Sequence, residues 1–325
     1  MAAPGLVFRL MSAAHAISVG SFDGVHAGHA SLIRAARDAV GPRGRITALA
    51  FFPHPLTTLR PDSAPPRLTN WDQRRDALIH VGADAAERLD PSADLLGQEP
   101  REFVERIVAT HAPSVWVEGP DFRFGRARSG DVETLRKLGR EFGFETIVAP
   151  VEDVALHDLT IVPASSTLAR WLISHGRMAD VRCVLGRHYE IVGEVVQGDQ
   201  RGRDLGFPTA NIAFESMPPA DGVYAGLLTT PDGRQRAAAI SVGTKPTFGD
   251  RPRAVEAHVI DWDGRVEGQS LEYGWRTRLT FLAWMREQLT YNELNELVRQ
   301  IQRDVDQARA IAEAHRINDQ TEAIA

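Results

Sequence analysis

The chain has 325 residues, of which 43% are hydrophobic and 25% charged, with a formal net charge of -6. That length suits two domains rather than one, the composition is that of a folded globular protein rather than a disordered one, and the acidic balance disfavours a dedicated nucleic-acid binder. The single cysteine, Cys183, excludes an intramolecular disulfide and a multi-cysteine zinc site and points to the cytoplasm, and no apolar run is long enough to cross a bilayer.

Ala14-His15-Ala16 has the form of a signal-peptidase site. The preceding run Leu6-Val7-Phe8 is cut by Arg9 and has no basic region before it, so a short tail leading into a strand is expected instead. Strands are predicted over residues 16–20, 45–52, 114–118 and 145–151. Helices are predicted over 27–40, 69–81, 99–111 and 131–142. The helix at 27 ends at Gly41-Pro42, and Thr69 and Asp72 have capping-box spacing. This alternation predicts a parallel sheet with helices on its faces. Two more helices follow over 166–175 and 177–185.

At Leu185-Gly186 the period changes. Short alternating runs cover 189–197, 222–229, 235–242, 254–261 and 276–282, with Asp232-Gly233 and Asp263-Gly264 as turn pairs. An antiparallel barrel is expected. Thr290 and Glu293 then have capping-box spacing before a helix whose Leu294, Leu297, Val298, Ile301 and Val305 share one face, packed on the barrel. Residues past about 309 are expected to fray. The predicted domains are 1–185 and 186–325, an α/β unit followed by an all-β unit with a terminal helix.

Two segments carry chemistry. The first is Gly20-Ser-Phe22-Asp23-Gly-Val-His26-Ala-Gly28-His29, where the first strand turns into the first helix. Ligands bind at the carboxyl ends of strands in such sheets, and a helix N-terminus offers N–H groups to phosphate. Gly28 lets a nucleotide approach the backbone. His26 and His29, three apart, share a helical face and can meet charge that develops on a phosphate. A bare structural helix start is the alternative, and two histidines with one distant cysteine make a poor zinc set. Later, Ser165-Ser166-Thr167-Leu-Ala-Arg170 places Ser166 and Arg170 on one face of a helix start, either a polyphosphate site or a plain serine cap with a solvated arginine.

The second segment is Gly198-Asp-Gln-Arg-Gly202-Arg-Asp-Leu-Gly206-Phe207-Pro208-Thr209-Ala-Asn211. Its glycines can form a turn whose N–H groups cradle phosphates. Thr209 and Asn211, two apart on a strand, point the same way and offer hard oxygens suited to Mg²⁺. A turn followed by a polar strand face is the alternative.

The pairing of H-x-G-H with S-S-T-x-x-R resembles the nucleotidyltransferase superfamily. The longer G-x-F-D-G-x-H-x-G-H resembles the adenylyltransferase module of the prokaryotic bifunctional riboflavin kinase/FMN adenylyltransferase family. Phe52-Pro53-His54-Pro55, Arg67-Leu-Thr69 and the run from Asp121 through Phe122, Phe124 and Arg128 to Asp131 fit the same module. The Gly206-Phe-Pro-Thr-Ala-Asn211 run resembles that family's kinase motif. Gly243-Thr-Lys245-Pro246-Thr-Phe248, Glu256-Ala-His258 and Arg286-Glu287-Gln288 are also similar to family segments.

The resemblance implies a Rossmann-like adenylyltransferase domain and a riboflavin-kinase barrel. It implies phosphorylation of riboflavin by ATP to FMN, then adenylylation of FMN by ATP to FAD with release of pyrophosphate. In the first domain it implies that His26 and His29 are catalytic and that Gly20, Phe22, Asp23, Gly28, Ser166, Thr167 and Arg170 bind nucleotide. Pro53, His54, Asp121, Phe122, Phe124 and Arg128 would contact flavin, although His54 reads equally as a turn filler and the 121–130 stretch as a basic loop with two core phenylalanines. In the second domain it implies nucleotide binding by Gly202, Gly206, Phe207 and Pro208, Mg²⁺ at Thr209 and Asn211, and Glu256 as the base, which the residues alone leave as a strand carboxylate. Lys245 stands where Arg is frequent, Ser241 where Asn is common, Phe52 where an acid is frequent, and Pro163 lies just before the serines. The expected partners are riboflavin, FMN and ATP, with no nucleic acid and no membrane, in a monomer or weak homo-oligomer. Two rivals are a kinase whose first domain only binds nucleotide and a non-enzymatic flavin-responsive regulator. The latter would need a basic helix or added domain that the sequence lacks.

Overall fold

A computed structural model describes residues 14–198, 201–244, 253–266, 269–270 and 273–322. The expected N-terminal tail, residues 199–200 of the glycine-rich segment and residues 245–248 with the Lys245 departure lie outside the described residues. The chain divides into two units, one of residues 1–65 with 71–153 and one of residues 66–70 with 154–325.

In the first unit the elements are β1 (His15–Gly20), α1 (Ala27–Val40), β2 (Arg45–Phe51), α2 (Leu56–Leu59), α3 (Trp71–His80), β3 (Ala85–Leu89), α4 (Ala93–Gly97), α5 (Pro100–His111), β4 (Val115–Glu118), α6 (Val132–Phe142) and β5 (Glu145–Val148). The strands form a parallel sheet in the order β3-β2-β1-β4-β5. The central strands are buried on both faces, as continuous apolar runs require. Ala16, Ala48 and Val117 meet Ile33, Ala36 and Leu78 of α1 and α3 on one face. Ile17, Leu49 and Trp116 meet Phe103, Val104, Leu135 and Leu138 of α5 and α6 on the other. Asp131 caps α6 by accepting from the Thr134 N–H at 2.9 Å, and Gly143, at φ 83°, ends it. The expected helix from 69 begins at Trp71, and β3 was not foreseen because Ala85–Leu89 is a half-exposed edge strand with no apolar run.

The chain continues through β6 (Asp153–Ala155) and β7 (Ile161–Pro163), paired with one another, and then α7 (Ser166–Ser174), α8 (Met178–Leu185), β8 (Tyr189–Val196), α9 (Arg201–Asp204), β9 (Ala210–Phe214), β10 (Gly222–Thr229), β11 (Gln235–Gly243), β12 (Ala254–Val259), β13 (Arg265–Val266), β14 (Gln269–Ser270), β15 (Arg276–Arg286) and α10 (Leu294–Glu322). Six strands close an antiparallel barrel in the order β10-β11-β12-β9-β8-β15. Its interior holds Ile191, Tyr224, Ile240, Val255, Ala257 and Phe281.

The packing adds one feature to the expected plan and corrects another. Helices α7 and α8, which precede the 185–186 boundary in sequence, pack with the barrel. Leu172, Ile173, Val181 and Val184 of α7 and α8 join the cluster that holds the barrel's Tyr189 and Ile191, because amphipathic helices must bury their apolar faces and the barrel supplies the cover. The last helix starts at Leu294 rather than after Thr290, with the Glu293 carbonyl accepting from Glu296 and Leu297, and it does not fray at 309. Ile301, Val305, Ala308 and Ala312 are its buried stripe, against Ala225, Leu227, Ala237 and Leu282, whereas Leu294 is exposed. Arg286 ties the helix to the barrel through both carboxylate oxygens of Asp304, at 2.9 and 2.6 Å. Among the described residues no helix is long and apolar enough to cross a membrane.

Candidate functional site

The turn between β1 and α1 is sharply folded. Phe22, Gly24 and Val25 have φ of 48°, 83° and 43°, and Phe22 is buried against Gly20. His26 is the residue before the first turn of α1, and its backbone N–H donates to Nδ1 of His29 at 3.3 Å. That bond places the ring proton of a neutral His29 on Nε2. The two imidazoles stack with centroids 3.7 Å apart, so the spacing expected to put them on one face does so. The turn is anchored from beneath. The Asp23 carboxylate takes the Arg74 guanidinium at 2.5 Å, with both side chains almost wholly buried, and Arg74 also donates to the carbonyls of Ser21 at 2.7 Å and Phe51 at 3.1 Å. Asp23 thus acts on the turn through Arg74.

Phe52 lies between two cations. Arg74 and Arg88 each stand 5.0 Å from its ring centroid, and the Phe52–Pro53 peptide is cis. His54 accepts the Leu56 N–H on Nδ1 at 3.1 Å, which gives it a part in the turn into α2. In the 121–130 loop the two phenylalanines differ. Phe124 is 5% exposed, stacks on Phe122 and packs on Phe103, so it belongs to the core. Phe122 is half-buried, while Asp121 and Arg128 are exposed. Gly130 is required because a Cβ there would fall 2.8 Å from the Phe124 ring.

In the second unit, Ser165 caps α7 by accepting from the Leu168 N–H at 3.1 Å, so the capping role falls to Ser165 and not to Ser166. Thr167 is exposed, and Arg170 donates to the Pro66 carbonyl at 2.7 Å.

The barrel site is built on adjacent strands. Asn211 of β9 is the register partner of Glu256 of β12, Glu256 of Ser241 of β11, and Ser241 of Val223 of β10. Partners so opposed project from the same face of the sheet. Since Val255 and Ala257 point into the barrel, this row lies on its outer face, where Glu256 is nevertheless only 8% exposed. Gln288 donates to the Ser241 hydroxyl at 2.9 Å. Before β9 the glycine-rich segment closes on itself. The Phe207 N–H donates to the Gly202 carbonyl at 2.7 Å, Gly206 has φ 85°, and a Cβ on Gly202 would fall 2.3 Å from the Phe207 carbonyl oxygen. His258 donates from Nδ1 to the Pro208 carbonyl at 2.9 Å and packs its ring edge-on to Phe207. Burial holds the His258 pKa below its ordinary value, although the Pro208 bond opposes the shift.

No group of three or more His, Cys, Asp or Glu capable of holding a metal occurs among the described residues. The Thr209 hydroxyl, exposed at the end of the turn, and the Asn211 amide are neutral hard oxygens. The Asn211 amide occupies the space a Cβ on Gly198 would fill, 2.1 Å from that position. Such a pair suits Mg²⁺ with phosphate and water completing the shell. Sequence reasoning missed Arg74, which carries no motif and is recognisable only by its burial. It also passed over Glu118, counted simply as the last residue of a strand.

A family model for FAD synthetase matches residues 10–162, and one for riboflavin kinase matches residues 185–312. The bifunctional riboflavin kinase/FMN adenylyltransferase of Escherichia coli (strain K12) is 29% identical over 90% of this chain and 91% of its own length. That of Listeria monocytogenes is also 29% identical, over 90% and 91%. A crystal structure from Streptococcus pneumoniae described as a macrolide-efflux protein aligns over 92% of this chain and 95% of its own, with a TM-score of 0.78 at 26% identity. With matches to both modules present in order along one chain, the chain belongs to the bifunctional riboflavin kinase/FMN adenylyltransferase family.

Proposed function

We infer that this protein makes flavin cofactors in two ATP-dependent steps, converting riboflavin to FMN and FMN to FAD. The observation that carries the reading is the presence in one chain of both family matches, one beginning at the parallel sheet and the other spanning the antiparallel barrel.

In the kinase step the 5′-hydroxyl of riboflavin attacks the γ-phosphorus of ATP, the bond to the ADP oxygen breaks, and Glu256 accepts the hydroxyl proton. The row of Asn211, Glu256 and Ser241 supports this, because Glu256 is the direct cross-strand partner of Asn211, the side chain assigned to Mg²⁺. The turn from Gly202 to Pro208 holds the phosphates, and His258 keeps Pro208 in place ahead of Thr209. Thr209 and Asn211 would hold Mg²⁺, which when bound neutralises phosphate charge.

In the adenylyl step a phosphate oxygen of FMN attacks the α-phosphorus of ATP and pyrophosphate leaves. The nucleophile is already an anion, so no covalent enzyme intermediate is needed. His26 and His29 stabilise charge developing on the triphosphate, with the α1 N-terminus and Gly28 receiving it. Ser166, Thr167 and Arg170 carry the family's second nucleotide motif and have the same assignment. Pro53, His54, Asp121, Phe122 and Arg128 are assigned to the flavin.

Chromatography of flavins over time, with purified protein, riboflavin, ATP and Mg²⁺, tests the reading. FMN appearing first and FAD after it is the expected result. FMN without FAD, even from added FMN, would reduce the first unit to a binding module. No conversion at all would return the protein to a regulatory role.

A further inference from the structure

The strand order β3-β2-β1-β4-β5 reverses between β1 and β4, the place where open α/β sheets form their ligand crevice. The ladders around it are unequal. β1 stays in register with β2 from His15 to Gly20, and β4 with β5 from Val115 to Glu118. Between β1 and β4 only Ala16–Val115 and Ile17–Trp116 are paired. The two strands therefore part toward their carboxyl ends, where the Val19 N–H would otherwise meet a β4 carbonyl.

A side chain takes that place. Oε1 of Glu118 accepts from the Val19 N–H at 2.7 Å and from Nε1 of Trp116 at 2.7 Å. Glu118 is 2% exposed, and its own carbonyl holds Ala149 at 2.9 Å. The residue after Val19 is Gly20, which opens the turn that carries His26 and His29. Trp116 in turn packs on Phe103 and Phe144, so the carboxyl links the turn to the core beneath α5 and α6. An ionised carboxylate is costly in such a place. Burial accordingly raises the Glu118 pKa well above the ordinary carboxylate value, against the two hydrogen bonds that lower it.

We propose that Glu118 is a positioning residue for adenylyl transfer, its Oε1 acting as a surrogate backbone carbonyl that holds β1 and β4 apart and sets where Gly20 and the following turn meet the nucleotide. This rests on the adenylyltransferase reading of the first unit. An acceptor is all the role demands, so a neutral amide oxygen serves as well as a carboxyl, whereas a shorter or apolar side chain leaves the Val19 N–H buried and unpaired.

The test compares Glu118→Gln, Glu118→Asp and Glu118→Val in the full-length protein, following FAD formation from added FMN and, separately, FMN formation from riboflavin. Glu118→Gln should keep kcat and the KM for ATP of adenylylation close to those of the unaltered protein, with an unchanged pH profile. Glu118→Asp and Glu118→Val should lose about tenfold or more in kcat/KM, as a turn displaced by a fraction of an ångström to an ångström would. FMN formation should be the same in all four proteins and reports that the barrel unit is intact, while a thermal melt of each protein reports whether the first unit is folded. A Glu118→Val protein that melts earlier yet adenylylates with unaltered kcat and KM where it is folded would make the residue merely structural, and a Glu118→Gln protein as impaired as Glu118→Val would show that more than an acceptor is required. Either result overturns the proposal. Failure of the unaltered protein to form FAD would instead sink the adenylyltransferase reading itself.

Discussion

Asn211 and Glu256 are direct partners across the β9–β12 ladder, so the amide assigned to the metal and the carboxylate assigned to the proton stand side by side on one face of the barrel. They lie 45 residues apart in the chain, and only closure of the barrel brings them together. For Glu256→Gln we expect FMN formation to fall by about 10²-fold or more, the usual worth of a general base, with adenylylation of supplied FMN retained. For Asn211→Ala the expected change is a higher Mg²⁺ requirement in the kinase assay alone. A kinase of unaltered rate in Glu256→Gln would remove the base assignment.

His29→Ala should have the opposite selectivity. The ring stacks on His26 and accepts its N–H, so its loss removes a donor to the triphosphate and loosens the start of α1. FAD formation from FMN should drop by about 10²-fold, as when one oxyanion donor is deleted, while riboflavin phosphorylation is spared. Equal loss of both activities would contradict separate sites.

The buried pair of Asp23 and Arg74 predicts a stability effect. Removing one partner strands the other charge, which costs about 3–5 kcal/mol. Asp23→Ala should therefore shift the denaturant midpoint strongly. Combining Asp23→Leu with Arg74→Met should recover part of the loss but not all, because Arg74 also satisfies the carbonyls of Ser21 and Phe51. Denaturation curves of the three proteins, followed by tryptophan fluorescence, decide this.

His15 gives the first unit a pH dependence. Its ring bridges the Thr47 hydroxyl and the His111 carbonyl at 2.9 Å each, and burial holds its pKa below the ordinary 6.5. Below that ordinary value the unfolded chain takes up a proton that the folded chain refuses. The contribution is thus present above pH 6.5 and is lost as pH falls. Thermal melts from neutral pH downward should show a decline that is shallower in His15→Gln.

Much of the fold was legible because its signals are local. The apolar runs of β1, β2 and β4 and the stripe of α1 state their own periods, and the turn pair Asp232-Gly233 sits where β10 hands over to β11. Local signals also misled. Thr290 and Glu293 have capping-box spacing, yet α10 begins beyond them, and its far end is helical past residue 309 because Ala308, Ile311 and Ala312 find strands to cover. Phe122 and Phe124 look equivalent in sequence, and only packing sends Phe124 into the core.

The sequence by itself determined the two-module plan and the family, because these depend on residue types at short, fixed spacings. Tertiary structure alone decided that α7 and α8 pack with the barrel, that Asn211, Glu256 and Ser241 form one row, that Arg74 lies beneath Asp23, and that Glu118 stands where β1 and β4 part. Each of these joins residues remote in the chain through burial or strand register, and neither is encoded in a local period.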